Sequence, residues 1–194
     1  HDVPQWYVDS CFKIQYMFPK AHAAAYMIAA LRLSWYKVYY PLEYYAAYFT
    51  VRSEDFDGAT AIKGRSAVYN KMKEIDMKIK NKEASAKEEA EYATFQIINE
   101  MLARGVELLP VDIYKSDSSK FVVEDGKIRL PFSSLSGVGD AAAVNLMTAK
   151  ETGGEYISID DLQARAKISS AVVDALKNTG ALASLPESSQ TTFF

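Results

Sequence analysis

Leu135-Ser136-Gly137-Val138-Gly139-Asp140-Ala141-Ala142-Ala143 is the stretch on which the reading of this 194-residue chain turns. An apolar residue, a Gly-apolar-Gly turn and a run of small residues describe a tight backbone reversal running into a helix. Glycine lets the backbone turn sharply and approach a ligand closely. The amides at the helix N-terminus then point outward, where the helix dipole favours an anion such as a phosphate. Small side chains at Ala141, Ala142 and Ala143 permit close packing on the preceding element.

This is the hairpin of a helix-hairpin-helix motif, with Gly137, Val138, Gly139, Asp140 and Ala141 as candidate DNA-phosphate-binding residues. Such a contact positions a protein on nucleic acid without reading bases. Leu130-Pro131-Phe132 leaves room for only a very short first helix. The same residues also suit an ordinary Gly-x-Gly turn between a strand and a helix, which is common.

On the N-terminal side of this stretch, residues 111–114, 120–123 and 127–130 have strand character. Asp125-Gly126 marks a two-residue hairpin, because both positions tolerate positive φ. Further upstream, Ser85-Ala86-Lys87-Glu88 is a capping-box pattern. The helix it opens carries Tyr92, Phe95, Ile98 and Leu102 on one face and ends at Gly105. Residues 71–87 are dense in lysine and glutamate and predict a solvated helix or loop; residues 53–64 are polar and predict a connection between domains. Residues 8–16 suit a short helix, Pro19 suits the first position of the next, and residues 20–40 are apolar on most sides, which predicts a largely buried helix. Pro41 ends it, and an aromatic-rich helix follows over 42–50. Beyond the glycine turn, helices are expected over 158–166, opened by a Ser158–Asp161 cap, and over 169–178 before Gly180. Residues 184–190 contain Pro186 and are expected to be mobile.

The fold class is therefore mostly α with a small antiparallel β-hairpin (α+β). A hydrophobic share of 49% supports a buried core. No apolar run reaches the ~20 residues needed to span a bilayer, so no membrane partner is expected. A lone Cys11 excludes an internal disulfide and fits a reducing, cytoplasmic compartment. Two histidines and one cysteine cannot make a four-ligand zinc site without carboxylates. Net charge is −3, which argues against a nucleic-acid binder with a broad basic footprint. A site built from amides removes that conflict. The chain opens at His1 without an initiator methionine and is expected to be a piece of a longer protein.

Two other constellations carry chemistry. Lys20 and His22 fall in the first turn of a helix, where an anionic ligand such as a triphosphate is favoured. The plainer alternative is a surface lysine beside a histidine satisfied by backbone. At the C-terminus, Gln190-Thr191-Thr192-Phe193-Phe194 places apolar anchors three and four positions after a glutamine, a pattern suited to an apolar groove on a partner. The plainer alternative is a tail packed on its own domain.

Together these residues resemble the PolC-type DNA polymerase III of low-GC Gram-positive bacteria, over nearly the whole chain. His1-Asp2-Val3-Pro4-Gln5-Trp6-Tyr7, Met17 to Tyr26 and Tyr44-Tyr45-Ala46-Ala47-Tyr48-Phe49-Thr50-Val51-Arg52 look like the family's late fingers region. Leu135 to Ala143, Ser158-Ile159-Asp160-Asp161-Leu162 and Gly180-Ala181-Leu182 look like its duplex-binding domain.

The resemblance implies a helical fingers end over 1–52 and a duplex-binding domain over 53–183, with the helix-hairpin-helix at about 130–153. It also implies a flexible clamp-binding tail over 184–194. Lys20, His22 and Arg52 would line the nucleotide or template side, with incoming dNTP, primer–template duplex DNA and a sliding clamp as partners. Residues 190–194 depart from the family pentapeptide, with Thr191 and Phe193 where leucine is usual. Losing a buried leucine would remove about 1.5–3 kcal/mol of apolar transfer energy. The palm carboxylates and their Mg²⁺ would belong to the parent enzyme, leaving this piece without catalytic residues or cofactor and inactive alone. Two alternatives are a free-standing helix-hairpin-helix scaffold of repair or recombination, and a helical interaction module without DNA.

Overall fold

The computed structural model describes residues 2–14 and 19–188, which fall into two compact units, His1–Pro41 and Leu42–Phe194. The first holds α1 (Gln5–Lys13) and α2 (Lys20–Tyr39). Pro19 is the N-cap of α2, one position ahead of the place expected for it. The expectation that α2 is largely buried is corrected: no residue of it is buried, and Tyr26, Leu31, Leu33 and Val38 are all exposed. Apolar residues on every side need packing layers on every side, and α2 lacks them.

In the second unit, α3 (Pro41–Val51) leads through a 3₁₀ turn (Ser53–Asp55) into α4 (Gly58–Ala61), then α5 (Arg65–Lys80) and α6 (Ala86–Ala103). The polar stretch expected to be a connection is thus packed structure. Phe56 and Ala61 are buried, and Gly58 sits so close to Ser134 that an added Cβ would meet its carbonyl oxygen at 2.7 Å. Asp57 caps α4, its Oδ1 accepting from the Thr60 amide at 3.0 Å. The lysine-rich stretch is the solvated helix α5, anchored by Val68 and Ile75 alone as buried residues. The capping box forms as expected: the Ser85 amide donates to Glu88 Oε2 at 2.9 Å, and Ser85 Oγ accepts from the Glu88 amide at 3.2 Å. The Lys78 ammonium, with the Ser85 amide and with the Ser85 hydroxyl donating at 3.0 Å, holds the Glu88 carboxyl down to about 2.

The sheet comprises β1 (Leu108–Leu109), β2 (Val122–Glu124) and β3 (Lys127–Arg129), in the order β1-β3-β2. The hairpin forms at Asp125-Gly126, whose φ values are 50° and 77°. The antiparallel pair β2–β3 is as expected, but β1 joins β3 in parallel, so the sheet is mixed. The strand expected over residues 111–114 is corrected. Pro110 interrupts the extended run, and Asp112 Oδ1 then accepts from the Tyr114 and Lys115 amides, bending the chain instead. Arg129 is nearly buried in the sheet; it pairs with Glu124 and donates to the Pro110 carbonyl.

Then come a second 3₁₀ turn (Phe132–Ser134), α7 (Asp140–Gly153), α8 (Ile159–Ala166) and α9 (Ser170–Asn178). The core runs from the rings of Tyr45, Phe49, Phe56 and Phe121, through Ile98 and Ile128, to Leu146, Leu162 and Leu176. Residues 186–187 are also held, against the expectation of a mobile segment. The carbonyls of Pro186 and Glu187 accept from the Ile159 and Asp160 amides at 2.9 and 3.2 Å, and Lys177 pairs with Glu187. An uncapped helix end is a set of unsatisfied donors, and here α8 takes its caps from the chain's own C-terminal segment. No helix among the described residues is long and apolar enough to cross a membrane.

Candidate nucleic-acid interface

The expected glycine turn connects the 3₁₀ turn Phe132–Ser134 to α7, so the first helix of the motif is as short as the Leu130-Pro131-Phe132 run implied. That short element is fixed by its neighbours: the Phe132 and Ser133 amides donate to the Asp117 and Ser118 carbonyls at 3.0 Å each. Gly137 has a φ of 90°, a conformation that side chains disfavour. Val138 is buried, and its amide closes the turn on the Leu135 carbonyl at 3.0 Å. Gly139, at φ −77° and ψ 165°, is the N-cap of α7, and no side chain caps this helix. Ideal Cβ atoms on Gly137 and Gly139 would each meet nothing within 4 Å. Gly139, Asp140 and Ala141 are exposed. The first-turn amides of α7 therefore open onto free space beside a backbone without side chains, the arrangement an oxyanion needs.

A second turn shares some of these features, and the sequence signal missed it. Between α8 and α9, Lys167 is left-handed at φ 50°, Ile168 is buried, and Ser169 caps α9 with φ −75° and ψ 161°. Like Gly137, Val138 and Gly139, these positions run from a positive φ through a buried apolar residue to an extended N-cap, but the Ile168 amide closes on the Gln163 carbonyl, five residues back, where that of Val138 closes on Leu135, three back. No side-chain hydrogen bond caps α9, and Ser169, Ser170 and Ala171 are exposed. The N-terminus of α8, by contrast, is filled by Ser158, Pro186 and Glu187. Only one glycine-like feature could have revealed the second turn, the positive φ of Lys167, and a lysine does not announce that conformation. Asp161 accepts from the Ile157 amide and pairs with Arg165, so Asp161 serves structure.

Lys20 and His22 share the first turn of α2, with the His22 ring edge-on to Tyr26 at 4.5 Å. Arg52 belongs to the other unit, is mostly exposed and lies 3.9 Å from Asp55. Gln190, Thr191, Thr192, Phe193 and Phe194 lie outside the described residues. Among the described residues no group of three or more His, Cys, Asp or Glu side chains is placed to hold a metal ion.

The family model described as a helix-hairpin-helix motif matches residues 105–192, a span that includes both turns. The DNA polymerase III PolC-type of Halalkalibacterium halodurans is 46% identical over 194 residues, covering 100% of this chain. Those of Clostridium perfringens and Bacillus subtilis are 45% and 44% identical, over 193 and 194 residues and again 100% of the chain. This chain is homologous to a segment of PolC-type DNA polymerase III. It spans 13% of the length of each of these relatives. Identity at this level along the entire chain extends the homology across both units, from α1 and α2 through the two turns.

Proposed function

We propose that the chain is the C-terminal part of a bacterial replicative DNA polymerase of the PolC type, and that its second unit grips the primer–template duplex through backbone phosphates. The observation that carries this reading is the open N-terminus of α7 beside Gly137 and Gly139, within a chain homologous to PolC along its whole length. The amides of Gly137 and of residues 139–141 hold one phosphate, since the Val138 amide is spent on the Leu135 carbonyl, and the amides at the start of α9 hold a second. Gripping without base contacts is what a polymerase needs, since its product has every sequence. Lys20 and His22, and Arg52 beyond α3, lie on the nucleotide or template side of a fingers domain over 1–52. Residues 190–194 dock on the sliding clamp, and the Mg²⁺ that supports dNTP incorporation is held by palm carboxylates elsewhere in the parent enzyme.

The chain alone is expected to bind duplex DNA with an affinity that falls as salt rises, and to show no Mg²⁺-dependent primer extension. Synthesis by the isolated chain would defeat the assignment of catalysis to another part. A peptide of the last ten residues is expected to bind the clamp, with Gln190→Ala and Phe194→Ala together abolishing it; an unmodified peptide that does not bind removes the dock and leaves the polymerase reading standing. In the parent enzyme, Lys20→Ala and His22→Ala are expected to raise KM for dNTP, and unchanged KM values would withdraw these residues from the nucleotide path.

A further inference from the structure

We infer that Arg165 is a positioning residue that sets the spacing between the two phosphate-holding turns. The inference rests on the reading of both turns given above. Arg165 lies two residues before Lys167, at the entry to the second turn, while its guanidinium reaches back to the exit of α7. Nη2 donates to the carbonyls of Ala149 and Gly154 at 3.2 and 3.0 Å. Nη1 donates to the Glu155 carbonyl and to Asp161 Oδ2, both at 3.1 Å. The group also lies over the Tyr156 ring, 4.3 Å from its centre. Tyr156 is in turn held by Tyr114, whose ring stacks on it and whose hydroxyl accepts from the Tyr156 amide at 3.0 Å.

The chemistry of this group points to a strut. Both terminal nitrogens donate to acceptors inside the protein, so the guanidinium has little left to offer a phosphate. Its partners are one carbonyl in the last turns of α7, that of Ala149, the carbonyls of Gly154 and Glu155 in the connection, and Asp161 in the first turn of α8. One planar, rigid head therefore joins the helix that starts at the first turn to the helix that ends at the second. A lysine could supply the charge but has no fork with which to bridge these carbonyls. Gly153 is part of the same device. A Cβ there would meet Arg165 Nη2 at 2.0 Å and its Cζ at 2.5 Å. Because the far end of a long side chain yields before a helix does, Gly153→Ala is expected to expel the guanidinium while leaving both its charge and α7 in place.

Two rigidly spaced contacts on one duplex act as a linked pair, and loosening their spacing lowers the effective concentration of the second. Arg165→Lys, Arg165→Gln and Gly153→Ala are each expected to weaken binding of a primer–template duplex about tenfold at fixed salt. Measurements are made on the full chain at temperatures where its far-UV circular dichroism is native. Spin labels on Val144 of α7 and Asp174 of α9, in a Cys11→Ser background, read the spacing directly without DNA. The distance distribution is expected to broaden in all three variants. A purely structural Arg165 would lower Tm and leave both distance distribution and affinity unchanged, which overturns the inference. A loss of affinity with Arg165→Gln but none with Gly153→Ala or Arg165→Lys marks a direct charge contact and also overturns it. Gly139→Leu serves as the control. If it weakens binding and the three strut variants do not, only the positioning role falls; if the wild-type chain binds no duplex, both readings fall.

Discussion

Gly139→Leu is expected to leave the fold in place and to reduce affinity for primer–template duplex at least about a hundredfold, because two amide–phosphate hydrogen bonds are worth roughly 1.5–3 kcal/mol each and about 1.4 kcal/mol is tenfold. The position separates folding from binding unusually well. Its φ of −77° is one that any residue adopts, and a Cβ there meets nothing within 4 Å, so a side chain fits the protein. The N-cap change itself costs only about 1 kcal/mol. What the leucine obstructs is the space in front of the α7 amides, where the phosphate has to sit. Gly137 is a poorer probe: at φ 90°, a side chain adds about 1–2 kcal/mol of backbone strain, and lost binding would be confounded with a damaged turn. Fluorescence anisotropy with a labelled duplex over a salt series measures the effect. Equal affinities for wild type and Gly139→Leu at every salt concentration would remove α7 from the interface.

Phe49→Ala is expected to destabilise the second unit by about 3–5 kcal/mol, the range for deleting a buried aromatic ring. Phe49 is fully buried, with its ring 4.9 Å from Phe56 and 5.7 Å from Phe121. Next to it, Thr50 Oγ1 accepts from the Phe121 amide at 3.0 Å and donates to the Ala46 carbonyl at 2.7 Å, so α3 is bound by both packing and polar contacts. Domains keep only about 5–15 kcal/mol of net stability, and the substitution therefore takes a large part of it. The midpoint of urea unfolding, with its slope unchanged, reads the loss. A cost below about 1 kcal/mol would mean that α3 can leave the core without consequence, against a ring packed on those of Phe56 and Phe121.

Local chemistry was the legible part of this protein. Ser85-Ala86-Lys87-Glu88 specifies its capping box within four residues, and Asp125-Gly126 specifies its hairpin in two, because both devices are satisfied by their own backbone. Gly137-Val138-Gly139 was legible for the same reason: a glycine at positive φ and an open helix start are properties of the segment itself. The pattern of Tyr92, Phe95, Ile98 and Leu102 gave the buried face of α6, where Phe95 and Ile98 are core.

Features that depend on distant partners were decided by tertiary structure alone. Apolar residues around α2 predicted burial, yet periodicity reports only that a surface is apolar and cannot supply the layer that covers it. Residues 53–64 looked like a connection because they are polar, whereas Gly58 and Phe56 place them against Ser134 and Phe121, which lie more than sixty residues away along the chain. β1 pairs in parallel with β3, a choice made by long-range register. The α8–α9 turn has no glycine signature: Lys167, beside the buried Ile168, holds a positive φ that its residue type disfavours. Arg165 would read in any sequence as one more helix-surface charge. Only when α7 ends beside α8 do four carbonyl and carboxylate partners converge on its guanidinium.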